Sequence, residues 1–158
     1  MTNTDILLVG KPWRGGLCHY LRIALAARFP GRVLWIPTYP DTPADRRQYR
    51  RDRHAWRRAL VDRIGTARYR AAVFVNHAQE LASLPYRASN ILWLTDDARV
   101  TAADLAPYAR VWISDPGYTS RVQAAAGSAY AGVLPFGFEP GIHLSLIHIS
   151  EPTRPVMI

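Results

Sequence analysis

Four short polar stretches in this chain have residue types suited to ligand chemistry, and each follows an apolar run. Gly15-Gly16 comes after Asp5-Ile6-Leu7-Leu8-Val9, Asn76-His77 after Ala71-Ala72-Val73-Phe74-Val75, Asp96-Asp97 after Ile91-Leu92-Trp93-Leu94, and Asp115 after Val111-Trp112-Ile113. Adjacent glycines let backbone approach a ligand closely. Imidazole and carboxylate groups supply hydrogen bonds and places for a proton, provided that reach and acidity suit. The same residues also serve as helix caps and turn formers, so where the fold places them decides their use.

The elements that must position them alternate along the chain. Asp5 to Val9 reads as a strand buried on both faces. Gly10-Lys11-Pro12-Trp13-Arg14-Gly15-Gly16 breaks it, and Leu17, Tyr20, Leu21, Ala24 and Leu25 recur at helical spacing. Phe29-Pro30-Gly31 stops that helix, Val33 to Ile36 is the second strand, and Pro37-Thr38-Tyr39-Pro40 ends it. Strands follow at Ala71 to Val75, Ile91 to Leu94, Val111 to Ile113 and Tyr130 to Leu134. Between them, a helix of one to two turns is expected up to Leu84, a short one capped by Thr101, and one over Thr119 to Ala126 stopped by Gly127. This alternation predicts an α/β fold, a doubly wound, mostly parallel sheet of about six strands covered on both faces. The expected order is 3-2-1-4-5-6, and right-handed crossovers then bring all four polar stretches to one edge, where open sheets bind ligands.

Several chemistries lose ground on spacing. Ile36 is followed by Pro37 and Thr38 rather than by an acid for a dinucleotide ribose, and the glycines miss the dinucleotide pattern. Gly10-Lys11 lacks the following Ser or Thr of a phosphate loop. His19, His54, His77 and His143 have no ligand spacing, so no metal site is expected. The single Cys18 excludes an internal disulfide and reads as a small apolar helix residue, and no serine sits in a nucleophile elbow. No run approaches the roughly 18 apolar residues of a membrane span, and no secretory leader is visible, which fits a cytoplasmic location.

The net charge of +8 rests almost wholly on arginine, Lys11 being the only lysine. Pro43 to Ile64 is the most basic segment and is expected to form one long amphipathic helix, with Tyr49, Trp56, Leu60 and Ile64 on its inner stripe. Its arginines from Arg46 to Arg63 are a solvated face or, in the sharper reading, a surface for anionic lipid at the inner face of the membrane or for a phosphorylated acceptor. Nucleic acid fits less well, because Tyr49 and Trp56 are expected to turn toward the core instead of stacking on bases.

Taken together, these residues resemble a known family. Ile6-Leu7-Leu8-Val9, Trp13, Gly15-Gly16 and Tyr20-Leu21-Arg22 with Ala24-Leu25 look like the opening of the first Rossmann-like domain of a GT-B glycosyltransferase. Asp96-Asp97, Ser114-Asp115-Pro116-Gly117-Tyr118 and Leu134-Pro135-Phe136-Gly137, with Pro140 and His143, are similar to the CgeB-like spore-maturation group. The resemblance implies that residues 1–143 form the acceptor-side domain of an enzyme that moves a sugar from a nucleotide-sugar to an acceptor. A second Rossmann-like domain would hold the donor, and no cofactor would be needed. His77, Asp96, Asp97 and Asp115 would then contact acceptor hydroxyls, one of them serving as base if the reaction inverts. Trp13, Arg14, Gly15, Gly16, Asn76, Tyr118, Phe136 and Gly137 would line the substrate site, and Pro135-Phe136-Gly137 would begin the linker. A different class of protein stays open: a stand-alone α/β domain that binds an anionic ligand, a membrane surface or nucleic acid through its arginine-rich helix.

Leu144-Ser145-Leu146-Ile147-His148-Ile149-Ser150-Glu151-Pro152-Thr153-Arg154 is identical to one reading frame of a common transposase-type sequencing adapter. Pro155-Val156-Met157 fits a short index and Ile158 the codon after it. Residues 144–158 are therefore expected to be a non-native tail and are kept out of the fold reading. The domain on its own is expected to transfer no sugar.

Overall fold

A computed structural model describes residues 4–76, 78–96 and 99–135. Its centre is one sheet of six parallel strands: β1 (Ile6–Gly10), β2 (Val33–Pro37), β3 (Ala71–Val75), β4 (Arg87–Leu94), β5 (Tyr108–Ile113) and β6 (Tyr130–Val133). The helices are α1 (Leu17–Arg28), α2 (Pro43–Arg51), α3 (Arg53–Thr66), α4 (Ala102–Leu105) and α5 (Thr119–Ala126). The α/β class and the flanked parallel sheet agree with the expectation from sequence. His77, Asp97, Phe136, Gly137, the boundary at His143 and the tail 144–158 lie outside the described residues.

The strand order differs in one respect: it is 2-1-3-4-5-6, so β3 lies between β1 and β4 and not at the edge beyond β2. A physical reason stands at the amino edge. Buried Asp5, just before β1, ion-pairs with Arg32, which precedes β2, and with Arg70, which precedes β3, at 3.5 Å in the latter case. Backbone bonds run the same way, the Asp5 N–H donating to the Arg32 carbonyl and the Arg70 N–H donating to the Asp5 carbonyl, each at 3.0 Å. One carboxylate thus ties both neighbours to β1. The long passage through α2 and α3 is what carries the chain back across β1 to reach β3.

Side chains alternate across the sheet as parallel strands require. Leu8 and Val75 meet Cys18, Leu17 and Leu21 of α1 on one face. Leu7, Val9 and Phe74 meet Leu60 and Ile64 of α3 on the other, where Leu105 of α4 and Val122 of α5 extend the same core.

The segment from Pro43 to Ile64 is two helices instead of one. Asp52 breaks it: extended at φ −151°, it closes α2 and caps α3, its carboxylate accepting from the Ala55 N–H at 2.8 Å. That bond holds the Asp52 carboxyl below its ordinary range. A depressed folded pKa adds stability above the unfolded value of about 4 that is lost as pH falls through the folded value. Asp52→Asn keeps an acceptor at the cap without this titration, so its Tm is expected to fall less than the parent's on acidification below about pH 4, followed by circular dichroism.

Other boundaries follow local chemistry. Thr101 and Asp104 form the reciprocal capping pair that starts α4. Gly127 at φ +55° ends α5, and the expected helix before Leu84 is a single tight turn, Gln79–Leu81.

Candidate functional site

Because all six strands run one way, the residue after each carboxyl end emerges on the same edge of the sheet. The chain leaves β1 through α1 toward β2 and returns over the opposite face to β3, so the crevice between the ends of β1 and β3 is the topological switch point. The corrected order brings the site together. With β3 beside β1, Asn76 stands between Lys11 and Thr95-Asp96, whereas the expected order would have left it beyond β2.

Asn76 is the hinge of this arrangement. It is the only described non-glycine residue with positive φ, +59°, a conformation that asparagine tolerates better than most. Its backbone N–H donates to the Trp93 carbonyl at 2.9 Å. Its amide Nδ2 donates to Thr95 Oγ1, and its Oδ1 accepts from the Thr95 N–H, both at 2.8 Å. The loop after β4 is thereby locked to the end of β3, which fixes where Asp96 begins.

Lys11 crosses the crevice from β1. Its ammonium lies 3.8 Å from Asp96 Oδ2 and 4.6 Å from the centre of the Trp13 ring. Two hollows of about 180 and 200 Å³ flank this pair and share Lys11, Asn76 and Asp96. One also touches Trp13, Gly16 and Cys18 at the start of α1; the other reaches Tyr39, Gln79 and Glu80.

Gly15, at φ +75°, turns the loop, and Gly16 starts α1 with no side chain over the helix end and no acid in the first turn. The positive end of a 12-residue helix therefore borders the hollow, a setting that favours an anion. Gly10 lets this unit close: a Cβ there would stand 2.3 Å from Cys18 Sγ. Burial pushes the Cys18 thiol up against the opposing pull of the Lys11 N–H, leaving an uncharged packing group, not a nucleophile.

The remaining candidates separate. Trp13, 59% exposed, lines the crevice, whereas Arg14 lines an adjoining hollow with His19, Arg22 and Asp41. Asp115 follows β5, one strand beyond Asp96 and so about 5 Å further from the switch point. Its Oδ1 accepts from the Gly117 N–H at 2.8 Å, capping the Pro116–Tyr118 turn. Tyr118 is half-buried against the core. His77, Asp97, Phe136 and Gly137 lie outside the described residues. Spacing alone did not point to Lys11, Thr95 or Tyr39 as lining groups. The signal was available for Lys11, a lone lysine in a chain of arginines directly after a buried strand. Compared with known proteins, the chain matches no family model, no curated protein and no solved structure.

Proposed function

We propose that this chain is the acceptor-side half of a cytoplasmic glycosyltransferase of the GT-B type, transferring a sugar from a nucleotide-sugar to an acceptor hydroxyl. The observation that carries the reading is the switch-point crevice, where an uncapped helix start, a lysine and a carboxylate face one another across Asn76. In the proposed reaction the acceptor oxygen bonds to the anomeric carbon while the bond from that carbon to the donor phosphate breaks, and a nucleoside diphosphate leaves. Lys11 and the start of α1 stabilise the phosphate charge that develops. Asp96 holds the acceptor hydroxyl and, in an inverting reaction, takes its proton. Trp13 supplies a flat face for a sugar ring. A second Rossmann-like domain binds most of the donor on this reading, which includes no resident cofactor, so the 158-residue chain by itself transfers nothing.

The alternative is a stand-alone domain that binds an anionic partner. It is favoured by α2, none of whose residues is buried and whose Arg46, Arg47, Arg50 and Arg51 are exposed. Reading the genomic locus past the codon for His143 separates the two. The glycosyltransferase reading expects the frame to enter a second α/β domain with an acidic residue for a nucleotide ribose. The codons for 144–158 followed by a stop would transfer the case to the binding domain.

A further inference from the structure

A further hollow lies between α2, α3 and the loop after β2, and its chemistry is unlike that of the crevice. Tyr49, Arg53, Trp56 and Arg57 form its helical side, with Tyr39 and Glu80 opposite, around about 190 Å³ of space. Tyr49 and Trp56 were expected to turn toward the core; instead they line this opening with Tyr39, and Tyr49 braces both of the others. The Tyr49 ring lies 6.1 Å from Tyr39 and 6.2 Å from Trp56, at 90° to the latter. Trp56 is fixed by its indole N–H, which donates to the Thr38 carbonyl at 3.3 Å. Arg53 is spread over Tyr49 at 5.4 Å. Among the described residues, neither Arg53 nor Arg57 makes an ion pair. At the floor, Thr38 is more than nine-tenths buried and its Oγ1 has no hydrogen-bond partner among the described residues.

We propose that this hollow binds one sugar ring carrying a phosphate or carboxylate. Its volume of about 190 Å³ leaves room for a single ring. The flat faces of Trp56 and Tyr49 suit the apolar face of a pyranose. Arg53 and Arg57 supply forked donors for the anionic group, and Glu80 with the Tyr39 hydroxyl suits ring hydroxyls. Burial and the nearby Glu80 push the Tyr39 hydroxyl up, so it stays protonated as a donor. Tyr39 and Glu80 line both this hollow and the crevice, so a ring seated here continues toward Asp96. That it is the acceptor rests on the glycosyltransferase reading; that it binds does not.

Isothermal titration of the 158-residue chain with glucose 6-phosphate, glucuronate, glucose and inorganic phosphate tests the proposal. At least one anionic sugar is expected to bind about tenfold or more tighter than glucose and than phosphate. Which of the two binds identifies the anionic group. Arg57→Gln, a change at an exposed residue, is expected to lose that tenfold with Tm unchanged, while Arg121→Gln on the exposed side of α5 leaves the affinity as it was. Binding of phosphate as tight as that of the sugar phosphate, equal affinity in Arg57→Gln, or no binding of either anionic sugar would overturn it. Binding here with no sugar transfer by the complete gene product would remove the glycosyltransferase reading and leave this site standing.

Discussion

Adding one methyl group at position 10 is expected to destabilise the domain by about 2 kcal/mol, the usual size of an overpacked core, or roughly 5 °C in Tm for a chain of this size. The Gly10→Ala Cβ would meet Cys18 Sγ at 2.3 Å, where β1 hands over to the loop and α1 packs on the sheet. Neither side can retreat: Leu8 and Val75 flank the contact from the sheet, and Leu17 and Leu21 hold the helix. The cause is separable by a second substitution. In Gly10→Ala with Cys18→Ala the offending sulfur is gone, and the nearest atoms are Val75 Cβ at 3.4 Å and the retained β-carbon of residue 18 at 3.5 Å. The double variant is therefore expected to be more stable than Gly10→Ala alone, by about 1 kcal/mol, although Cys18→Ala by itself removes buried volume. Additive losses in urea unfolding would show that contact with the sulfur is not what destabilises Gly10→Ala.

Asn76→Ala is expected to cost about 3–4 kcal/mol, and it acts through two separable terms. Two hydrogen bonds to Thr95, each worth about 1 kcal/mol net, disappear. A Cβ-bearing residue without a side-chain amide is also left at φ +59°, where about 1–2 kcal/mol of backbone strain is normal. The three variants should therefore rank: Asn76→Asp keeps the acceptor for the Thr95 N–H and loses least, Asn76→Gly relieves the backbone and loses both bonds, and Asn76→Ala loses most. Amide chemical shifts of Thr95 and Asp96 should move in the same order, because the loop after β4 is released from β3. Equal stability of the Gly and Ala variants would mean that the left-handed backbone carries no strain.

Much of this architecture was legible in the residues. Apolar runs of three to five residues marked the strands, with Gly or Pro breaking the chain after the first, second and sixth of them, and β1, β2 and β3 begin and end within one residue of expectation. Thr119 to Ala126 with Gly127 marked α5 because start, periodicity and stop agree locally. The order of strands was not legible from periodicity, which says that β1 and β3 are buried without saying which strand each pairs with. The pairing signal lay in charge, in Asp5 with Arg32 and Arg70 at the strand starts, residues far apart in sequence. Asp52 was hidden by its neighbours: one acid among arginines looks like a helical ion-pair residue until its side chain is seen on the Ala55 N–H. Arg87 to Asn90 escaped notice as the first half of β4 because three of the four are polar, yet Asn90 is buried, donating to the Pro107 carbonyl at 3.0 Å and accepting from the Tyr69 hydroxyl at 2.9 Å.

The candidate site divides along the same line. Its edge was predictable, since parallel strands send their following loops to one side, and Asn76, Asp96, Trp13 and Gly16 meet there. Asp115 carries the same chemistry as Asp96 but spends it on the Gly117 N–H, a local use that residue type alone does not reveal.

That contrast sets the most direct measurement of the central claim: transfer of radiolabelled sugar from a panel of nucleotide-sugars by the complete gene product, compared with its Asp96→Asn and Asp115→Asn variants. The switch-point account predicts transfer by the parent, a loss of about 100-fold or more in kcat/KM for Asp96→Asn, as for a group that handles the transferred proton, and a change of only a few-fold for Asp115→Asn. No consumption of any nucleotide-sugar, or an Asp96→Asn variant as active as the parent, would contradict it.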